Sequence, residues 1–348
     1  MKIKSLLFLL LLGLLFSPAA FSQDEGEEST FTISGSVDSY FHTSLDTEED
    51  APFTSFANLP GFALGMVNII ASYEGEKAGF VGDVVFGPRG VDAVFQPSYT
   101  GQKIVNQLYA YLKIGDMVKL NLGQFNTFLG YEVISPTVNV NYSTSYMFTN
   151  GPFNHTGLRA DIDLESGLGF KLAIMNPTDF VEFNGVDSYT LGAQVGYSGD
   201  QGGVWLNVLS GDQDGDGPEE STFQIDLTAG WDLTESFYLG LNTTQKKIGD
   251  DGFMGFALYP KYALSESFTL GFRGEYFKIL AADEADENDV IALTLSGNYS
   301  VGNLTIIPEF RMDKFSEKIL HEKDEDIDVD VPSKDSMLTF NLAAVYKF

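Results

Sequence analysis

From Phe31 to the C-terminus, apolar residues recur at every second position in runs broken by polar and glycine-rich stretches. A period of two predicts β-strands, because successive side chains of a strand point to opposite faces. Thr156, Leu158, Ala160, Ile162 and Leu164 share one face of such a run, and Arg159, Asp161, Asp163 and Glu165 share the other. The same split sets Phe268, Leu270, Phe272 and Gly274 against Arg273 and Glu275. It also sets Leu304, Ile306, Phe310 and Met312 against Glu309, Arg311 and Asp313. Each run is about ten residues long, the length a tilted strand needs to cross a bilayer. About sixteen runs can be traced, within a range of roughly fourteen to eighteen, because Val138, Val140 and Tyr142 also alternate inside a long connection.

A soluble sandwich alternates in the same way, so the connections decide. Tight turns (Glu74 to Lys77, Gly115-Asp116, Glu165 to Leu168, Ser198 to Gly202, Asp232 to Glu235, Leu264 to Glu266, Ser300 to Gly302) alternate with longer ones. The longer set is Asp46 to Pro60, Gly87 to Lys103, Asn126 to Asn154, Asn176 to Ser188, Gly211 to Ser221, Ile248 to Gly252, Leu280 to Asn288 and Lys314 to Ser336. That regularity belongs to outer-membrane barrels, with short periplasmic turns and long external loops. Tyr73, Tyr197, Trp231, Phe237, Phe268, Tyr299 and Phe348 flank the tight turns on the aliphatic parity, as an interfacial aromatic girdle does. The expectation is an all-β, antiparallel transmembrane barrel over residues 31–348. A lumen of this size must hold water or a plug, and the segment before the first strand is too short for a plug domain.

The N-terminus fits that destination. Lys2 and Lys4 precede an apolar run from Leu6 to Phe16, and Ala20-Phe21-Ser22 offers small residues before a cut ahead of Gln23, so residues 1–22 read as an export signal. Residues 23–30 form a short acidic segment. Cysteine is absent, which removes acylation at the cut, disulfides and thiolate chemistry. The formal charge of −29 argues against nucleic acid as a partner, and losing Lys2 and Lys4 makes the mature chain more negative still. The acids cluster in long connections, at Asp46 to Asp50, Asp212 to Glu220, Asp250-Asp251, Asp283 to Asp289 and Glu322 to Asp330. An outer face of that sign enriches cations and collects divalent ions that bridge to lipopolysaccharide. The apolar wall suits lipid and a homo-oligomer contact alike.

Gly123-Gln124-Phe125-Asn126-Thr127-Phe128-Leu129-Gly130-Tyr131-Glu132, Asn141-Tyr142-Ser143 and Phe153-Asn154-His155-Thr156-Gly157-Leu158-Arg159 together resemble the signature of the OmpL-like β-barrel porin family, outer-membrane barrels common in Bacteroidetes. Thr144 stands where a basic residue would be expected after Asn-Tyr-Ser. The resemblance implies fold, location and a pore-type role, and supplies no substrate and no catalytic residue. The aromatic C-terminus, Phe348, likewise resembles the signal by which the barrel-assembly machinery recognises its clients.

The connection from Asn126 to Asn154 is the longest after the leader, and a loop of that length is usually functional. It is expected to narrow the pore, with Glu132, Asn141, Tyr142, Tyr146, His155 and Arg159 at the constriction; an external loop that never enters the lumen is the competing reading. Lys119, Asp161, Asp163, Lys171, Arg273, Glu275, Glu309 and Arg311 should charge the lumen wall. His42, His155 and His321 lack a nucleophile to serve, so no enzyme and no cofactor is expected. Asp212, Asp214 and Asp216, with Gly217 following, copy the first half of a calcium loop, but Phe223 stands where the closing glutamate belongs. The expected function is a passive diffusion pore for small hydrophilic solutes, cation-preferring. The alternative is a surface adhesin or receptor with a closed lumen.

Overall fold

The computed structural model describes residues 29–94, 103–212, 221–282, 287–323 and 331–348. Residues 1–22, expected to be an export signal, lie outside the described residues. Among them sixteen strands close into one barrel. In chain order they are β1 (Thr30–Ser44), β2 (Gly61–Glu74), β3 (Ala78–Phe86), β4 (Val105–Ile114), β5 (Val118–Asn126), β6 (Asn154–Asp163), β7 (Leu168–Met175) and β8 (Thr190–Gly199). The second half comprises β9 (Gly202–Asp212), β10 (Ser221–Asp232), β11 (Phe237–Ile248), β12 (Asp251–Ser265), β13 (Phe268–Leu280), β14 (Asp289–Val301), β15 (Leu304–Phe315) and β16 (Ser336–Lys347). Each strand pairs antiparallel with its chain neighbours, and β1 pairs with β16 from Ser36↔Lys347 to Ser44↔Thr339. Closure leaves no unpaired edge, which a strand wall in hydrocarbon requires.

The parity of the sequence becomes inside and outside. Leu108, Leu122, Leu172, Leu191, Leu295, Phe310 and Leu342 stand exposed on the outer wall, while Arg273, Glu275, Glu309, Arg311 and Asp313 are buried within. In water such an outer surface would be a large apolar patch, and in lipid it is the wall's natural face. Tyr197, Tyr299 and Phe348 sit exposed at the tight-turn end.

Two features differ from the expectation. Ile248 to Gly252 is not a long connection: β11 ends at Ile248 and β12 begins at Asp251, because Gly249 takes a left-handed φ of 58° and closes a tight hairpin. The alternating Val138, Val140 and Tyr142 form no strand, since no neighbouring strand offers them a ladder. Among the described residues two short helices occur in loops: α1 (Pro88–Ala93) and α2 (Tyr146–Asn150), the latter capped by Ser145 Oγ accepting from Phe148 N at 3.0 Å.

Leu295→Arg, a cation placed midway along the outer wall, is expected to lower the unfolding free energy by about 2–4 kcal/mol, and Val301→Arg at the tight-turn rim by no more than about 1 kcal/mol. Urea unfolding in lipid vesicles, followed by heat-modifiable gel mobility, measures both; equal losses would count against a lipid-facing wall.

Candidate functional site

Residues 127–153 turn back into the barrel and traverse its inner wall. Gln194 on β8 donates to Phe128 O at 3.2 Å, and Gly130 N donates to Asp226 on β10 at 3.0 Å. Tyr131 stacks on Tyr259 of β12, ring centroids 4.1 Å apart, and its hydroxyl donates to that of Tyr238 on β11 at 3.2 Å. Glu132 accepts from Arg273 on β13 at 2.7 Å. Val140 O accepts from Asn298 on β14 at 2.9 Å, Asn141 donates to Ser296 at 2.7 Å, and the Tyr142 hydroxyl donates to Asp38 on β1 at 2.6 Å.

An irregular segment inside a barrel has backbone N–H groups with no ladder partner, and burying one unpaired costs about 1–3 kcal/mol. Carboxylates meet that need. Glu309 on β15 accepts from the consecutive amides of Tyr142 and Ser143, at 2.7 and 3.0 Å. Glu275 on β13 accepts from those of Tyr146 and Met147, at 2.9 and 2.8 Å. Asp179, in the β7–β8 loop, accepts from Phe153 and Asn154 at 3.1 and 2.9 Å. Steric fit adds to this: a Cβ at Gly192, Gly240, Gly255 or Gly271 would overlap Phe128, Tyr131, Met147 or Val140 respectively. These wall glycines are seats for loop side chains.

Three buried arginines complete the docking. Arg273 also donates to Ser143 O at 2.7 Å, and Arg311 pairs with Asp313 at 2.9 Å and donates to Thr144 O at 2.8 Å. Arg89 of α1 donates to Ile134 O and Tyr142 O. Thr144, the departure from the family pattern, is buried with its hydroxyl donating to Ser55 O. Burial and the Asp38 carboxylate hold the Tyr142 phenol far above its usual range, so it stays a neutral donor.

Glu132, Asn141, Tyr142 and Tyr146 are thus brought together, each 6 % exposed or less, along the docked face of the loop. His155 is apart from them, buried between Phe125 and Phe128 with Nε2 2.9 Å from Thr127 Oγ1. Arg159 is half-buried on β6 and grips Asp161 through two bonds of 2.7 and 3.0 Å. Lys119, Asp161, Asp163 and Lys171 occupy the inner-face parity of β5 to β7. Asp214 and Asp216 lie outside the described residues, as does the side chain of Asp212. Sequence reasoning missed Asp38, Arg89, Asp179 and Asp226; the inward parity of Asp38 and Asp226 was the available signal.

The loop covers the wall unevenly. On β10 to β16 the mid-wall inner-face side chains are buried, whereas Tyr109, Tyr111, Lys119, Lys171, Gln194 and Trp205 on β4 to β9 remain partly exposed. At the tight-turn end two cavities open. One of about 230 Å³ lies under residues 136–140, and one of about 670 Å³ is lined by Lys77, Lys113, Lys119 and Asp163.

Burial pushes the Asp179 carboxyl up to about 6 from 3.8, against the lowering pull of its two amide donors and Lys246. A folded pKa above the unfolded one means that this group's stabilisation is complete below about pH 4 and declines as pH rises through 6. Asp179→Asn is therefore expected to flatten the pH 4–7 portion of the stability profile, read by urea unfolding; an unchanged profile would reject this role.

A search of the curated proteins finds no match. Solved structures share the fold. The anion-selective porin from Comamonas acidovorans is 14% identical with a TM-score of 0.66 over 92% of this chain and 100% of its own. The outer membrane channel DcaP of Acinetobacter baumannii is 12% identical with a TM-score of 0.64 over 95% and 100%. Salmonella typhi OmpF, solved with daunomycin, is 12% identical with a TM-score of 0.59 over 91% and 97%. The model of the family described as putative beta-barrel porin-2, OmpL-like, matches residues 30–348, and the protein is an outer-membrane β-barrel of that family.

Proposed function

We propose that the protein is a passive diffusion pore for small hydrophilic solutes, with its aqueous path along the inner faces of β4 to β9 and residues 127–153 as the opposite wall. The partly exposed row on those strands, with Lys119 lining a cavity at the tight-turn end, is the observation that carries this reading. In this reading the exposed loop residues Gly130 and Val133 border the path, and Glu132, Asn141, Tyr142 and Tyr146 act by holding the loop in place. Its fold relatives include a channel and an anion-selective porin. Cation preference rests on the acidic outer connections and on the pairing of Arg273, Arg311 and Arg159 with Glu132, Asp313 and Asp161, which cancels their charge.

A second reading, a surface-binding protein with a closed lumen, is favoured by the apolar clusters inside the barrel. Phe56, Val85, Ala93, Ile134 and Phe153 form one, and Phe125, Leu129, Met175 and Leu209 another. The first and last external loops also clasp each other through Lys334–Asp46 at 2.6 Å and His321–Glu49 at 2.8 Å.

Single-channel recording of the refolded protein under a salt gradient separates the two. The pore reading expects discrete steps with a cation-directed reversal potential, and a folded but silent barrel supports the second reading. Removing residues 138–146 is expected to raise conductance severalfold. Gly271→Leu, which unseats Val140, should raise it less; unchanged conductance in both folded variants would show that the loop does not limit flow.

A further inference from the structure

Asp161 is the centre of an uneven group of charges on β5 to β7. Its two oxygens accept both Arg159 bonds and a third at 2.9 Å from Asn121 Nδ2, so its lone pairs are largely used. Arg159 is held as firmly, its guanidinium lying 4.4 Å over the Phe125 ring. Lys119 and Lys171 are the direct cross-strand partners of Asp161, one on each side, and their stems start about 5 Å from its own. Neither lysine has a carboxylate within ion-pair distance among the described residues. Lys119 instead rests 5.4 Å over the Tyr111 ring.

The neighbouring lysines differ. Lys113 and Lys77 share the same cavity with Lys119, but they face Glu74 at 2.8 Å and Glu76 at 3.8 Å. Half-burying two ammonium groups beside a saturated carboxylate leaves about two uncompensated charges in a site of reduced dielectric. That arrangement is unfavourable when empty and favourable around a counter-charge. Asp163, Asp116 and Glu76 line the cavity beside Lys119 and are exposed at the turn ends of their strands, none of them within ion-pair distance of Lys119 or Lys171.

We infer that Lys119 and Lys171 form a foothold for a small oxyanion of charge −2, a phosphate or a dicarboxylate, on the uncovered wall of the lumen. Its place in transport rests on the pore reading above; its existence as a binding site does not. The acidic outer loops set the sign of bulk ion flow, and the foothold acts only on an anion that has entered. Two ammonium charges attract a dianion about twice as strongly as a monovalent ion at the same place, so the site favours the higher charge.

Inorganic phosphate added on the tight-turn side of a planar phosphatidylcholine bilayer, with the full mature chain in potassium chloride, is the test. Wild type is expected to show concentration-dependent phosphate block. The double variant Lys119→Gln, Lys171→Gln should still show discrete steps in potassium chloride, with its reversal potential shifted further toward cations, and need about tenfold more phosphate for the same fractional block. Lys261→Gln, at the same end but on β12, should behave as wild type. A conducting wild type that phosphate does not block, or a block unchanged in the double variant, overturns the foothold. If the wild type is silent, the pore reading fails, and calorimetric titration of phosphate into the detergent-solubilised barrel decides the site: heat lost in the double variant supports it, and no heat in wild type refutes it.

Discussion

Every amide that the chain sends into the barrel must find an acceptor, and this requirement organises the lumen. Glu309 and Glu275 each accept from two consecutive loop amides, and Asp226 accepts from a third place along the same segment. Remove those acceptors and residues 127–153 have no reason to lie against the wall. The arginines are secondary to this arrangement: Arg273 pairs with Glu132 and Arg311 with Asp313, and each gives a further donor to a loop carbonyl. Buried ion pairs of this kind add little net stability, but each is strongly unfavourable if half of it is lost. They therefore fix where the loop lies more than how firmly the barrel stands.

The same arrangement divides the interior in two. One sector carries matched charges, aromatic stacking and glycine seats, and is filled. The other, from β4 to β9, keeps tyrosine, tryptophan, lysine and glutamine partly exposed at its inner surface beside the Phe125–Leu209 cluster, with a cavity at its tight-turn end. The interior is thus asymmetric around the barrel axis, and in the proposed pore the contact with solute falls to a few strands.

Most of the barrel was legible in the sequence because a strand wall with lipid outside and polar matter inside repeats one rule at every second residue. Arg273 against Phe272, or Glu309 against Phe310, is enough to orient a whole strand. Connection lengths were less secure: Asp250 and Asp251 look like loop acids, yet Gly249 allows a tight hairpin there. The loop residues were the hardest to interpret. Glu132, Tyr142 and Tyr146 were picked out by composition and motif, but their partners lie on strands far along the chain, and no local pattern says that Glu309 will face Tyr142. His155 was placed with them by proximity in sequence, whereas its ring is enclosed by Phe125 and Phe128. Asp38 carries no motif at all.

The distances along the chain between loop and acceptors have a consequence for how the molecule is made. Tyr142 and Glu309 are separated by 167 residues, and Tyr146 and Glu275 by 129. The loop emerges after the fifth strand, but the acceptors that hold it arrive with the thirteenth and fifteenth, and Asp38 meets Tyr142 on a wall that only the β1–β16 seam completes. Docking of the segment is therefore complete only once strands from both ends of the chain stand in the wall. A chain truncated before β15 would still carry every residue of the loop and have no Glu309 on which to dock it.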